Sequence, residues 1–212
     1  MIYRFLKTWL LPIVALIAVG IALATYESDY LFKVQELNLF LYSKMFFEQQ
    51  MVVSGGLLTW LGTYFTQYFY YPALGTTLLC LWLGLMMWLF KHAFRIADRY
   101  SALLLVPLAL VVITDVDLGY WIYYLKLRGH FFIAPMGFSW AFAMVWAYRV
   151  LPTKWWLRTI WLPISVALSY PFVGIYSLIA ALTMAVMALV ANKSIGRKVI
   201  DAIVAVLSLV AV

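Results

Sequence analysis

The chain has one cysteine, two histidines and only eight acidic residues among its 212 positions. The lone Cys80 excludes an intrachain disulfide framework and a thiolate zinc site. His92 and His130 fall in separate segments, so no helix carries a histidine pair suited to haem or a zinc hydrolase. Walker and G-x-S-x-G loops are also missing. Charge is the largest deficit: 11% of residues are charged and 67% hydrophobic, against roughly 25% charge in an average soluble domain. Such a chain cannot clothe a water-soluble globule, which excludes a soluble enzyme, a nucleic-acid-binding domain and a disordered tail as whole-chain readings. An integral membrane protein remains.

A helix needs about 20 mostly apolar residues to cross the hydrocarbon core. Candidate spans run from about Trp9 to Thr25, Pro72 to Phe90, Ser101 to Thr114, and Phe131 to Tyr148. A helical hairpin then turns at 171–174 and ends near Ala191, and a last apolar run begins at Val199. Ala22-Leu23-Ala24 resembles a signal-peptide cleavage site, but the long apolar run with Trp9 and Pro12 suits a retained anchor better. The expected fold is all-α, a polytopic transmembrane bundle of about six to seven spans. Residues 1–212 form one transmembrane domain, and the run still apolar at Val212 leads us to expect the N-terminal part of a longer protein. No span holds a charge near its middle, which argues against a proton-coupled pump.

Residues 26–71 mix charge, glycine and aromatics. Lys33, Glu36, Lys44 and Glu48 alternate with Leu37, Phe40, Leu41 and Phe47, and Thr59, Thr63, Thr66 and Gln67 make a polar stripe on an aromatic segment. The pattern predicts interfacial helices over about 31–50 and 57–70, hinged at Gly55-Gly56. Trp60, Tyr64 and Tyr68 belong at headgroup level. A second loop covers 115–130.

With the amino terminus in the cytoplasm, inner segments hold 11 of the 15 basic residues, and the loops opposite hold six of the eight acids. The positive-inside rule therefore predicts a multi-pass protein with 26–71 and 115–130 outside, and the net charge of +7 reports topology rather than a nucleic-acid partner. Two acidic pairs stand at helix exits on that outer face, Glu27-x-Asp29 and Asp115-x-Asp117. Converging carboxylates repel unless a cation lies between them, and magnesium or manganese suits such an oxygen set with a substrate phosphate. The alternative is that each pair merely caps a helix end. Lys126, Arg128 and His130 follow closely, as phosphate ligands or as anchors at the lipid headgroups.

This arrangement resembles the GT-C superfamily of membrane glycosyltransferases: a first span, an acidic motif, a long outer loop with interfacial helices, and a second acidic motif after the third span. The resemblance covers roughly residues 9–150. It implies sugar transfer from a polyprenyl-phosphate carrier at the outer face of a bacterial inner membrane, with Glu27 or Asp29 as base. Asp115 and Asp117 would then be metal ligands, Lys126, Arg128 and His130 phosphate ligands, and Trp60, Tyr64 and Tyr68 contacts for the lipid or sugar. The first motif departs from the family in its E-x-D form. The segments Gln35-Glu36-Leu37-Asn38-Leu39-Phe40 and Ser54-Gly55-Gly56-Leu57 also resemble an uncharacterised family of large bacterial inner-membrane proteins. A non-enzymatic scaffold, or a component of lipid or polysaccharide export, is the competing expectation.

Overall fold

The structure, a computed structural model, describes residues 2–120, 128–152, 154–191 and 195–210, and their regular structure is entirely helical. Helix α1 (Ile2–Thr25) enters from the amino terminus. The first loop carries three short helices, α2 (Ser28–Leu37), α3 (Lys44–Met51) and α4 (Gly56–Thr66), the last running into a 3-10 turn over Gln67–Tyr70. Then come α5 (Pro72–Phe94), a 3-10 segment Asp98–Leu104, α6 (Leu105–Tyr120), α7 (His130–Val150), α8 (Trp155–Val173), α9 (Ile175–Ala191) and α10 (Ile195–Val210). Four described segments, Thr8–Thr25, Pro72–Phe94, Asp98–Val116 and His130–Val150, are long and apolar enough to cross a bilayer. The protein is an all-α membrane bundle.

The sequence explains most boundaries. Pro72 opens α5, where its missing N–H costs nothing. Gly174, with φ of 61°, closes α8 and turns the expected hairpin into α9. Gly55, at φ 81°, starts α4 at the expected hinge. Two expectations are corrected. The segment 31–50 is not one helix: α2 stops at Leu37, and Ser43 caps α3 by accepting the Phe46 N–H (3.2 Å). The third span does not end before Asp115, because α6 continues to Tyr120 and places both Asp115 and Asp117 inside a helix.

Helices α5 and α7 form the centre. Leu79, Leu83, Met86 and Met87 of α5 are buried in one cluster with Phe131, Phe132 and Met136 of α7. Phe69 is wholly buried beside both phenylalanines, at ring separations of 5.5 and 5.3 Å. Because lipid is as apolar as a leucine side chain, such packing stabilises through close contact rather than through escape from water. On α9, Ser177, Ala181 and Ala185 are buried, so the small-residue stripe serves helix packing.

The first loop is fastened to this centre by hydrogen bonds. The Asn38 side-chain amide donates to the Thr63 carbonyl (3.0 Å), and its oxygen accepts the Gly129 N–H (3.1 Å). Gln67 donates to the Asn38 main-chain carbonyl (2.7 Å), and Gln35 to the Gln67 side chain (3.2 Å). The polar stripe of α4 therefore faces protein, with Thr63 and Thr66 fully buried. The hinge is fastened too: the Gly55 N–H donates to the Pro171 carbonyl (3.0 Å), against the α8–α9 turn.

Candidate functional site: a trough between α6 and α7

A cavity of about 660 Å³ lies between α6 and α7, with walls from α5 and α9. That volume falls within the range of small-molecule sites. Its apolar walls include Phe90, Pro107, Leu110, Val111, Phe138 and Phe142, and its polar groups gather at one end: Thr114, Asp115, Arg128, His130 and Tyr176. From His130 down α7 to Phe142 is about 18 Å at 1.5 Å per residue, so the site is a trough rather than a bowl. Val106 and Leu110 of α6 line it yet are 51% and 62% exposed, which leaves the trough open sideways, toward lipid.

Helix continuity brings Asp115 into the site. Four residues after Val111 and eight after Pro107, it lies on the same face of α6 as both. Its carboxyl is only 4% exposed and makes no hydrogen bond or ion pair among the described residues. A carboxyl buried among apolar walls is costly unless something that enters the cavity meets it. Gly129, at φ 66°, starts α7 and fixes the two residues around it. Arg128 stays exposed at the mouth, and His130 is buried with its ring against Phe131 at 4.5 Å. Tyr176 completes the polar end. Its ring lies where a Cβ on Gly137 would have to be, so that glycine admits it.

Of the residues singled out from sequence, Asp115, Arg128 and His130 come together. Glu27 and Asp29 do not: both are exposed beside the start of α2 and neither lines the cavity. The Asp117 side chain and all of Lys126 lie outside the described residues. Trp60, Tyr64 and Tyr68 also stand apart from the cavity. Trp60 lies 5.6 Å from Phe40 and 5.4 Å from Phe47, Tyr64 lies 5.5 Å from Phe40, and Tyr64 and Tyr68 share a 2.8 Å hydroxyl hydrogen bond.

The chain belongs to the DUF6057 family, a family of unknown function. The match covers residues 3–212. No curated protein and no solved structure matches it.

The expected divalent metal would rest on Asp115 and Asp117, and the Asp117 side chain lies outside the described residues. No group of three histidine, cysteine or carboxylate side chains among them converges on a point. Among the described residues the polar end of the trough offers one carboxylate, with a guanidinium at the same mouth. What the arrangement offers is a cation and a hydrogen-bond acceptor at the end of a long apolar channel. Sequence reasoning missed Tyr176 and Asn38. Gly137, facing a tyrosine just past a glycine turn, was the available sign for the first; a lone asparagine within Leu37-Asn38-Leu39-Phe40 was the sign for the second.

Proposed function

We propose that this protein holds a phosphate-headed, long-chain lipid carrying a sugar, and transfers that sugar at the outer face of a bacterial inner membrane. The N-terminus is cytoplasmic in this reading, which rests on the 11 basic residues gathered opposite the loop 26–71. The observation that carries the function is the trough itself: apolar along its length, open sideways to lipid, and polar only where Asp115, Arg128, His130 and Tyr176 meet. The lipid tail lies between α6 and α7. Arg128 takes the phosphate, since a guanidinium makes charge-assisted bonds to it, and Asp115 and Tyr176 take sugar or acceptor hydroxyls.

In the transfer, the acceptor oxygen forms a bond to the sugar's anomeric carbon while the bond from that carbon to phosphate breaks. The acceptor proton passes to Asp115 as general base, and the departing phosphate keeps the electron pair, stabilised by Arg128. Glu27 and Asp29, exposed outside the trough, have no part in this step.

A second reading has one observation in its favour: the trough holds a single carboxyl among the described residues, enough to hold a lipid without reacting it. On that reading the protein is a scaffold or an export component.

The deciding experiment uses the full chain in nanodiscs with a radiolabelled polyprenyl-phosphate sugar. Binding that Arg128→Gln weakens tenfold or more, with label transfer that Asp115→Asn abolishes, supports the enzyme. Binding without transfer in wild type selects the scaffold. If neither variant changes binding, the trough is not the site.

A further inference from the structure

At the other end of the bundle, the last turns of α5 and α7 bring together groups that the trough does not use. Arg95 closes α5, and Arg149 lies in the last turn of α7. Arg149 stands within electrostatic reach of both Arg95 and Arg158. Like charges brought together by separate helices repel unless an anion lies between them. Neither Arg95 nor Arg149 pairs with a carboxylate among the described residues. The neighbouring lysine behaves differently: Lys91 is bound to Asp98 at 2.7 Å and lies 5.3 Å from the Trp9 ring, so it is spoken for. Asp201, the buried carboxylate at this end, accepts a hydrogen bond from Thr159 at 2.9 Å.

The same two helices carry an aromatic pair near this end. Trp146 lies three residues before Arg149 on one face of α7, and Trp88 lies in the penultimate turn of α5, ahead of Arg95, whose left-handed φ of 52° ends that helix. The two indoles are 5.8 Å apart across the α5–α7 seam, and the His92 ring sits against both, at 4.3 and 6.0 Å. Both remain open to the surroundings, at 40% and 37% exposure. Tryptophan is enriched at the headgroup level of a bilayer, and basic pockets between helices at that level bind anionic headgroups. The exposed indoles therefore favour a lipid over a soluble anion.

We propose that the α5–α7 seam at this end is a binding site for one anionic phospholipid, its phosphate held by Arg95 and Arg149 and its glycerol and upper acyl carbons lying on Trp88 and Trp146. Arg158 is the third cation of the site. It is less free to move, because its guanidinium donates to the Leu151 carbonyl (3.3 Å) and lies over the Tyr148 ring at 5.6 Å. The site is independent of the trough and stands whatever the trough binds.

The test uses the full chain in detergent micelles, titrated with brominated phosphatidylglycerol or brominated phosphatidylcholine. The quenching of Trp88 and Trp146 is isolated by subtracting the curve of a Trp88→Phe/Trp146→Phe variant. Each of the two guanidiniums that hold the phosphate contributes about fivefold, so wild type should prefer phosphatidylglycerol by about 25-fold or more. Arg95→Gln/Arg149→Gln should lose that preference, while Arg95→Lys/Arg149→Lys should keep most of it. Equal quenching by the two lipids in wild type overturns the proposal. So does a preference that survives in the glutamine variant, or one that millimolar inorganic phosphate abolishes, which would make the site one for a soluble anion. If the glutamine variant fails to fold, the wild-type lipid comparison and the lysine variant still decide.

Discussion

Replacing Asn38 by alanine tests whether the first loop is held by the hydrogen bonds described above. Asn38 is 4% exposed, and its side chain serves the Thr63 carbonyl and the Gly129 N–H. Alanine leaves both groups buried without that partner. An orphaned buried group costs about 1–3 kcal/mol, so the pair should cost roughly 2–6 kcal/mol. At roughly 2–4 °C per kcal/mol for a chain of this size, the melting temperature of detergent-solubilised protein should fall by about 4–24 °C. Asn38→Asp keeps an acceptor for Gly129 but sets a buried carboxylate against the Thr63 carbonyl, so it should cost at least as much as alanine. Because Gly129 separates Arg128 from His130, lipid-phosphate binding should weaken along with stability. Intrinsic fluorescence during a thermal ramp, beside a binding titration, reads both. A melting temperature unchanged within 2 °C would refute the reasoning, for it would mean that water replaces the asparagine without cost.

The remaining predictions concern other parts of the bundle. Asp115→Leu should abolish lipid-phosphate sugar transfer yet stabilise the fold by about 1–3 kcal/mol, since it removes a buried polar group without a partner; a lower melting temperature would show that Asp115 is structurally required. Phe69→Ala should cost about 3–5 kcal/mol, because Phe69 is fully enclosed beside Phe131 and Phe132, and a loss under 1 kcal/mol in chemical denaturation would show that the site collapses freely. Gly129→Ala should fail to give stable protein: φ is 66°, and the added Cβ would lie 2.5 Å from the Gly62 main chain; normal yield and melting would contradict that packing. The Tyr64 phenol is pushed above its ordinary range by its hydrogen bond to Tyr68 and by the charge Tyr68 would carry. The folded state thus holds that proton more tightly than the unfolded chain, so the contribution is present below about pH 10 and is lost as pH rises through the tyrosine range. Tyr68→Phe should flatten that alkaline slope.

The long helices were legible because their apolar runs end at residues with a backbone reason to end them: Pro72, Gly174, and the Gly55-Gly56 hinge. The break at 38–43 was hidden. Leu39, Phe40 and Leu41 continue an apolar, helix-like pattern, whereas what stops α2 is the use of Asn38 by groups from distant segments. Asp115 was misplaced for the opposite reason. A polar residue at the end of an apolar run has the pattern of a loop, although nothing in Thr114-Asp115-Val116-Asp117 breaks a helix, and α6 carries on. That same continuity turns Asp115 inward, so the correction to the helix boundary is also what makes it a cavity residue. The separation of Glu27 and Asp29 from the trough was not readable at all, because two pairs at the same membrane level can face different sides of a bundle.

The contact between Gly55 and the turn after Pro171 orders the birth of the molecule as well as its shape. A chain made from its amino end delivers the hinge long before the α8–α9 hairpin exists. Until that hairpin arrives, the Gly55 N–H has no Pro171 carbonyl to meet, and α4 lacks one of the helices it packs against. The hinge and the face of α4 that meets the hairpin must therefore wait for a segment made much later. Contacts so distant in sequence are slow to close, and transiently bare apolar surface invites wrong partners. Holding such a loop at the bilayer surface during synthesis would shelter it, and its amphipathic helices α2 and α3 are suited to that interval.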